Sequence, residues 1–251
     1  MPIDFHLFLF AVPAVILIGL SKGGFAGIGA LGTPLLAIGI GDPLKAAAIL
    51  LPILVAQDAV GVAAFRKAWD RHVIAVMLPG ALVGILLGYV LAAYISGAAV
   101  MAALGLTSIL FGAQRLLLER QGVAEAMETP DWAGRLYGVA AGFTSQIAHA
   151  GGPPFQMWVM PKRLPHPVFA GTTAIFFAAV NLAKLPAYLA LGQFTGANLI
   201  TSLSLLPFAI FGSLAGVWLV RRVSGERFYR IVYALMIVAG VKLVWDGVVG
   251  G

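Results

Sequence analysis

Pro79-Gly80-Ala81-Leu82-Val83-Gly84-Ile85-Leu86-Leu87-Gly88 returns later in the chain as Pro207-Phe208-Ala209-Ile210-Phe211-Gly212-Ser213-Leu214-Ala215-Gly216. Both copies read Pro-x4-Gly-x3-Gly inside an otherwise apolar run. Glycines four apart share one helix face, and small residues on such a face let helices approach closely within a membrane. The same offset pairs Ser96-Gly97 with Ser224-Gly225, and Gly112 with Gly240. At a slightly shorter offset, Asp42-Pro43 aligns with His166-Pro167 and Gln57 with Asn181. The chain therefore reads as two related halves, 1–118 and 134–251, joined by a linker over 119–133.

Composition says where those halves lie. Hydrophobic residues make up 61% of the 251 residues and charged residues 10%. A soluble domain carries about 25% charged residues, so lipid must cover much of this surface. Cysteine is absent, which excludes disulfides and thiolate chemistry. The net charge of +6 comes from Lys and Arg in short loops, where it sets membrane orientation rather than binding nucleic acid. The run from Phe5 to Leu20 has no Lys or Arg before it and no cleavage-site pattern, so a retained helix is expected rather than a signal peptide.

Apolar runs predict helices over 5–21, 25–40, 43–65, 73–95, 98–118, 134–149, 152–161, 167–191, 197–221 and 228–249. Two adjacent pairs are unusual. The joint Ser21-Lys22-Gly23-Gly24 separates the first pair, and His149-Ala150-Gly151-Gly152-Pro153-Pro154 the second. Their segments are shorter than the roughly 20 residues that span a bilayer, and Gly and Pro weaken a helix at each joint. Broken helices or helical hairpins turning within the membrane are expected, and these require a protein-lined interior. With hairpins, each half crosses an odd number of times. The basic loops 66–71, 115–135, 161–163 and 221–230 then fall on one side, and both termini on the other. By the positive-inside rule the basic loops are cytoplasmic and both termini periplasmic. The expected fold is an all-α polytopic membrane protein with an inverted repeat of about five helical segments per half. Inverted repeats with broken helices near the midplane build secondary transporters.

The same two joints are where a substrate would sit. Each leads into a helix start, whose free N–H groups and positive dipole end favour an anion. Gly23, Gly24, Gly29, Gly151 and Gly152 are candidates there, although glycines also serve plain helix packing. Polar groups inside apolar helices usually face an interior path. They add Lys22, Thr33, His149, Gln156, Thr172, Asn181 and Lys184 to the candidate binding set. Thr173 is a further candidate donor. Asp58 and His149 are candidates for proton coupling; Asp58 is alternatively a counter-ion for Lys184, and His149 alternatively a helix cap. The sequence has no HExxH pair, Walker loop or GxSxG elbow, so an enzyme is not expected, and neither a metal nor a cofactor is. Without an ATP-binding motif, an ion gradient must supply the drive.

Gly19-Leu20-Ser21-Lys22-Gly23-Gly24-Phe25, Ala46-Ala47-Ala48-Ile49-Leu50-Leu51-Pro52-Ile53, Gly142-Phe143-Thr144-Ser145, Ala148-His149-Ala150-Gly151-Gly152-Pro153-Pro154 and Gly171-Thr172-Thr173-Ala174-Ile175-Phe176-Phe177 together resemble the sulfite exporter TauE/SafE family over essentially the whole chain. The resemblance implies a multi-spanning inner-membrane permease that exports sulfite or an organosulfonate such as sulfoacetate. Half one reads Gly-Ala-Leu-Gly at 29–32 where many members have three glycines, and half two places Pro153-Pro154 after its glycine pair, so the backbone at the turns is expected to differ. An anion channel, an uptake permease for another small anion, and a membrane enzyme or assembly subunit are the competing readings. The expected partners are a small anion and the lipid bilayer; a homodimer is left open, and no nucleic acid is expected.

Overall fold

A computed structural model describes residues 5–24, 29–40, 43–91, 94, 97–120, 126–190, 192 and 194–249. The described residues form α1 (Phe5–Lys22), α2 (Gly29–Ile40), α3 (Pro43–Phe65), α4 (Arg71–Leu91), α5 (Gly97–Arg120), α6 (Asp131–Ala148), α7 (Gly152–Val159), α8 (His166–Ala190), α9 (Gly196–Val220) and α10 (Gly225–Val249), with a 3-10 turn at Met160–Lys162 after α7. Six of these helices are long and apolar enough to cross a membrane. Leu86, Phe211, Trp218 and Trp245 stand exposed along them, as lipid-facing side chains do. The protein is a multi-pass membrane protein.

Glycines set how the helices pair. Gly19 of α1 and Gly23 just after it lie against Ser213 and Gly216 of α9, and Gly212 and Gly216 lie against Ile16 and Leu20 in return. Gly138 and Gly142 of α6 face Met77 and Ala81 of α4, while Gly80 and Gly84 face Arg135 and Val139. In each seam an added Cβ would run into the partner's backbone. Both seams join parallel helices, since residue numbers rise together along them. Two other pairs are antiparallel. Asp58 of α3 meets Asn181 of α8, while Gly61 meets Ala174. Gly105 of α5 meets Gly240 of α10, and Gly112 meets Tyr233. Gln57 locks α3 onto the first seam, its Nε2 donating to Val15 O at 2.9 Å and to Ala209 O at 3.2 Å. Deep in α10, Lys242 pairs with Asp246 one turn away, which keeps either charge from facing apolar surroundings alone.

The basic loops converge at one end. Arg221 Nη2 donates to Ala64 O at 3.2 Å, Tyr229 Oη to Leu164 O at 2.6 Å, and Met127 N to Pro161 O at 2.9 Å. Lys162 lies over the Trp158 ring and Arg222 over Trp218, 4.1 and 4.4 Å from the ring centroids. Trp218 is exposed whereas Trp158 is buried, so only the Arg222–Trp218 pair has the form of an interfacial anchor, apolar on one side and wet on the other. The opposite end is tied by Ser202 Oγ donating to Ile49 O at 2.7 Å.

Several boundaries differ from expectation. Helix α6 begins at Asp131, inside the stretch read as linker. Pro130 holds an extended N-cap conformation (φ −66°, ψ 145°), and Asp131 places its carboxylate in the first turn, where the helix dipole favours it. Helix α4 begins at Arg71, two residues before the expected start, and α8 at His166, one residue before it. Phe25 to Ile28 of the first joint lie outside the described residues, as do Asp42 and Ser96 of the repeat alignment.

Candidate functional site

The ends of α1 and α6 approach the same interior space. Helix α6 stops at His149, which takes the left-handed conformation at φ 51°. Thr144 fastens that stop, its single Oγ1 proton lying within reach of both Ala140 O at 2.8 Å and Ala150 O at 3.1 Å. A non-glycine residue at positive φ is uncommon, though histidine tolerates it better than most. Helix α7 then begins at Gly152, with prolines at its second and third positions. These suit the first turn because their φ is already helical.

A cavity of about 90 Å³ lies between the two joints. Half one lines it with Ser21, Lys22, Gly29 and Thr33; half two contributes Ser145, His149, Gly152, Gln156, Thr173 and Asn181. Ile18, Leu50, Phe177 and Met236 supply apolar wall. On the half-one side, Lys22 Nζ sits 2.7 Å from Asp58 Oδ1 and 5.0 Å from the centre of the Phe177 ring. The other Asp58 oxygen accepts from Asn181 Nδ2 at 2.6 Å. Asp58 is 2% exposed, so its charge is held behind the wall while Lys22 stands at it.

The half-two side is built differently. Lys184 Nζ is fully buried and lies 3.2 Å from Ser145 O, 3.1 Å from Ser145 Oγ and 2.9 Å from His149 Nδ1. When Lys184 is protonated its ammonium only donates, which makes Nδ1 the accepting nitrogen and puts the imidazole N–H on Nε2. That nitrogen faces Tyr188 Oη at 3.4 Å. Lys184 thus has three neutral partners, whereas Lys22 has a carboxylate.

The helix start in half two offers fewer backbone donors than expected. Pro153 and Pro154 carry no N–H, and Phe155 N is bonded to Gly151 O at 3.3 Å. Of these opening residues only Gly152 can donate. The Gln156 amide lies next to Gly152 and supplies the donor that the prolines lack.

Eight of the sequence candidates thus line one cavity: Lys22, Gly29, Thr33, His149, Gly152, Gln156, Thr173 and Asn181. Asp58 and Lys184 lie just behind it, through Lys22 and His149. Four others point elsewhere. Gly23 packs on Gly216, and Gly24 (φ +129°) on Val220 and Ala170. Gly151 packs against Ala141 and the Phe177 ring. Thr172 Oγ1 donates to Val168 O and accepts from Asp70 N, tying α8 to the loop before α4. Its neighbour Thr173 lines the cavity instead, because successive residues on a helix point about 100° apart. Asp58 is paired with Lys22 rather than Lys184. Ser145, Phe177 and Met236 escaped the sequence reading of the site; only the burial of Lys184 beside the first joint's partners could have drawn Ser145 in.

A cavity lined by Lys22 and by buried polar side chains thus lies inside a bundle of apolar helices, an arrangement that suits a membrane transport protein. The profile described as "Sulfite exporter TauE/SafE" matches residues 11–243, nearly the whole chain, so the protein belongs to the sulfite exporter TauE/SafE family of membrane transporters. No curated protein and no solved structure matches the chain.

Proposed function

We propose that the protein is a secondary transporter of the inner membrane that exports a small sulfur-containing oxyanion, sulfite or an organosulfonate, through the cavity between the two joints. The observation that carries this reading is the charge count: two lysines, Lys22 and Lys184, serve the cavity, and one carboxylate, Asp58, answers them. A positive charge beside a low-dielectric space attracts an anion strongly. Lys22, Thr33, His149, Gly152 and Gln156 bind it from the wall, with Asn181 and Lys184 holding that wall in shape.

An inverted repeat fits the helix pairing. Equivalent helices of inverted halves run antiparallel, as α3 does with α8 and α5 with α10, and the two parallel glycine seams then exchange under the same operation. Each joint becomes the tip of a hairpin approaching from one side. In this reading the convergent basic loops face the cytoplasm and both termini the periplasm.

Coupling to protons is part of the proposal. An anion that draws Lys22 away from Asp58 leaves the carboxylate to take up a proton, and its return expels that proton. The test is sulfite flux in proteoliposomes with and without a pH gradient. Flux should follow the gradient and fall at least about tenfold in Lys184→Ala and His149→Ala, the loss expected when about 1.4 kcal/mol of binding is removed. Parent-like rates in both variants would contradict the site, and flux indifferent to the gradient would favour a channel.

A further inference from the structure

Gln156 is 1% exposed, lines the cavity, and has neither its amide oxygen nor its amide nitrogen hydrogen-bonded. Exchanging the two atoms changes nothing, so the result does not depend on how the amide is oriented. Buried amides are normally satisfied. A ligand that completes this one must offer a donor to Oε1 and an acceptor to Nε2.

Thr173 points the same way. Its hydroxyl proton is committed to Phe169 O at 2.8 Å, so toward the cavity it presents lone pairs. The wall therefore carries two acceptors, Gln156 Oε1 and Thr173 Oγ1, beside its cations. A fully deprotonated oxyanion has only acceptors and leaves both unmet. Charge supplies the third constraint. Asp58 neutralises one lysine, and the three contacts of Lys184 are neutral. With Lys184 protonated and Asp58 ionised, the cluster carries one positive charge in excess. A single negative charge balances it, whereas a dianion overshoots where uncompensated charge is expensive. Size agrees: an apolar cavity of roughly 150 Å³ holds a benzene ring, so about 90 Å³ suits a ligand of about four non-hydrogen atoms.

We infer that the cavity selects a singly charged oxyanion that bears its own O–H or N–H, the hydrogen sulfite form rather than sulfite, with Gln156 and Thr173 reading that proton. The inference rests on the anion-transport reading above and names the form of anion that the site takes.

Sulfamate and methanesulfonate decide it. They share shape and charge, but one ends in NH2 and the other in CH3. Each is titrated as a competitor of sulfite flux in proteoliposomes of the unaltered protein. Sulfamate should compete at about tenfold lower concentration, about 1.4 kcal/mol of preference. Gln156→Leu should bring the two to near equality, and Thr173→Val should reduce the ratio part of the way. Equal competition in the unaltered protein overturns the inference without any variant, as does a preference that survives Gln156→Leu. If sulfite is transported and neither compound competes, the inference fails while the transport reading stands. If no anion is moved at all, both fail.

Discussion

The joint after α1 brings a lysine to the cavity and ties it to a carboxylate on α3; the joint after α6 brings an imidazole and backs it with a lysine that meets neutral groups alone. The surrounding scaffolds are alike. Each of α1 and α6 lies in a glycine seam against a parallel partner from the other half. The same scaffold thus carries an ion pair in one half and an unneutralised cation in the other. Breaking a buried ion pair strands a charge, whereas removing a buried cation that lacks a counter-ion relieves a desolvation penalty. The first half's pair should therefore matter to stability, and the second half's lysine should be present for transport.

That contrast orders the expected effects. Asp58→Ala strands Lys22 and should destabilise the protein by about 3–5 kcal/mol, read as a lowered unfolding midpoint in detergent. Lys22→Met combined with Asp58→Leu should regain most of that loss and still transport nothing. A single variant as stable as the parent would break the comparison. Gly142→Leu forces a side chain into the backbone of Ala81 and should cost about 1–3 kcal/mol. The control Gly196→Ala meets nothing within 4 Å and should stay within about 0.5 kcal/mol. Lys184→Met should change stability by about 1 kcal/mol or less, since isosteric apolar replacement of buried charge is often neutral, yet abolish flux. A large destabilisation there would make Lys184 a structural residue and erase the asymmetry. Tyr188→Phe removes only the 3.4 Å contact to His149. It should cost about 1 kcal/mol at most and leave measurable flux.

Much of the fold was legible because bilayer physics is blunt. Runs such as Lys45–Phe65 and Gly196–Val220 are long and apolar enough to cross a membrane, and the repeated Pro-x4-Gly-x3-Gly marks the faces that pack. Helix ends were less legible. Helix α6 starts directly after Pro130, and Asp131 there reaches His72 at 2.9 Å, a contact between distant segments that no local pattern announces. For the site, the sequence announced which residues are costly in an apolar setting. Lys22, Asp58, His149, Asn181 and Lys184 were singled out on that ground, and they lie together. It did not announce how they pair: Asp58 reaches across to Lys22 on α1, not to Lys184 on its neighbouring helix. Residues with two plausible uses were the hardest. Gly23 and Gly151 serve close packing, and only the helix rotation separates Thr172, which braces a loop, from Thr173, which faces the cavity.

The central claim is that both joints serve one anion site. Titration calorimetry of sulfite against the detergent-purified protein tests it directly, with Lys22→Gln altering the first joint and His149→Asn the second. Each substitution alone should weaken binding by about tenfold or more, about 1.4 kcal/mol. Undiminished affinity in either variant would contradict a shared site.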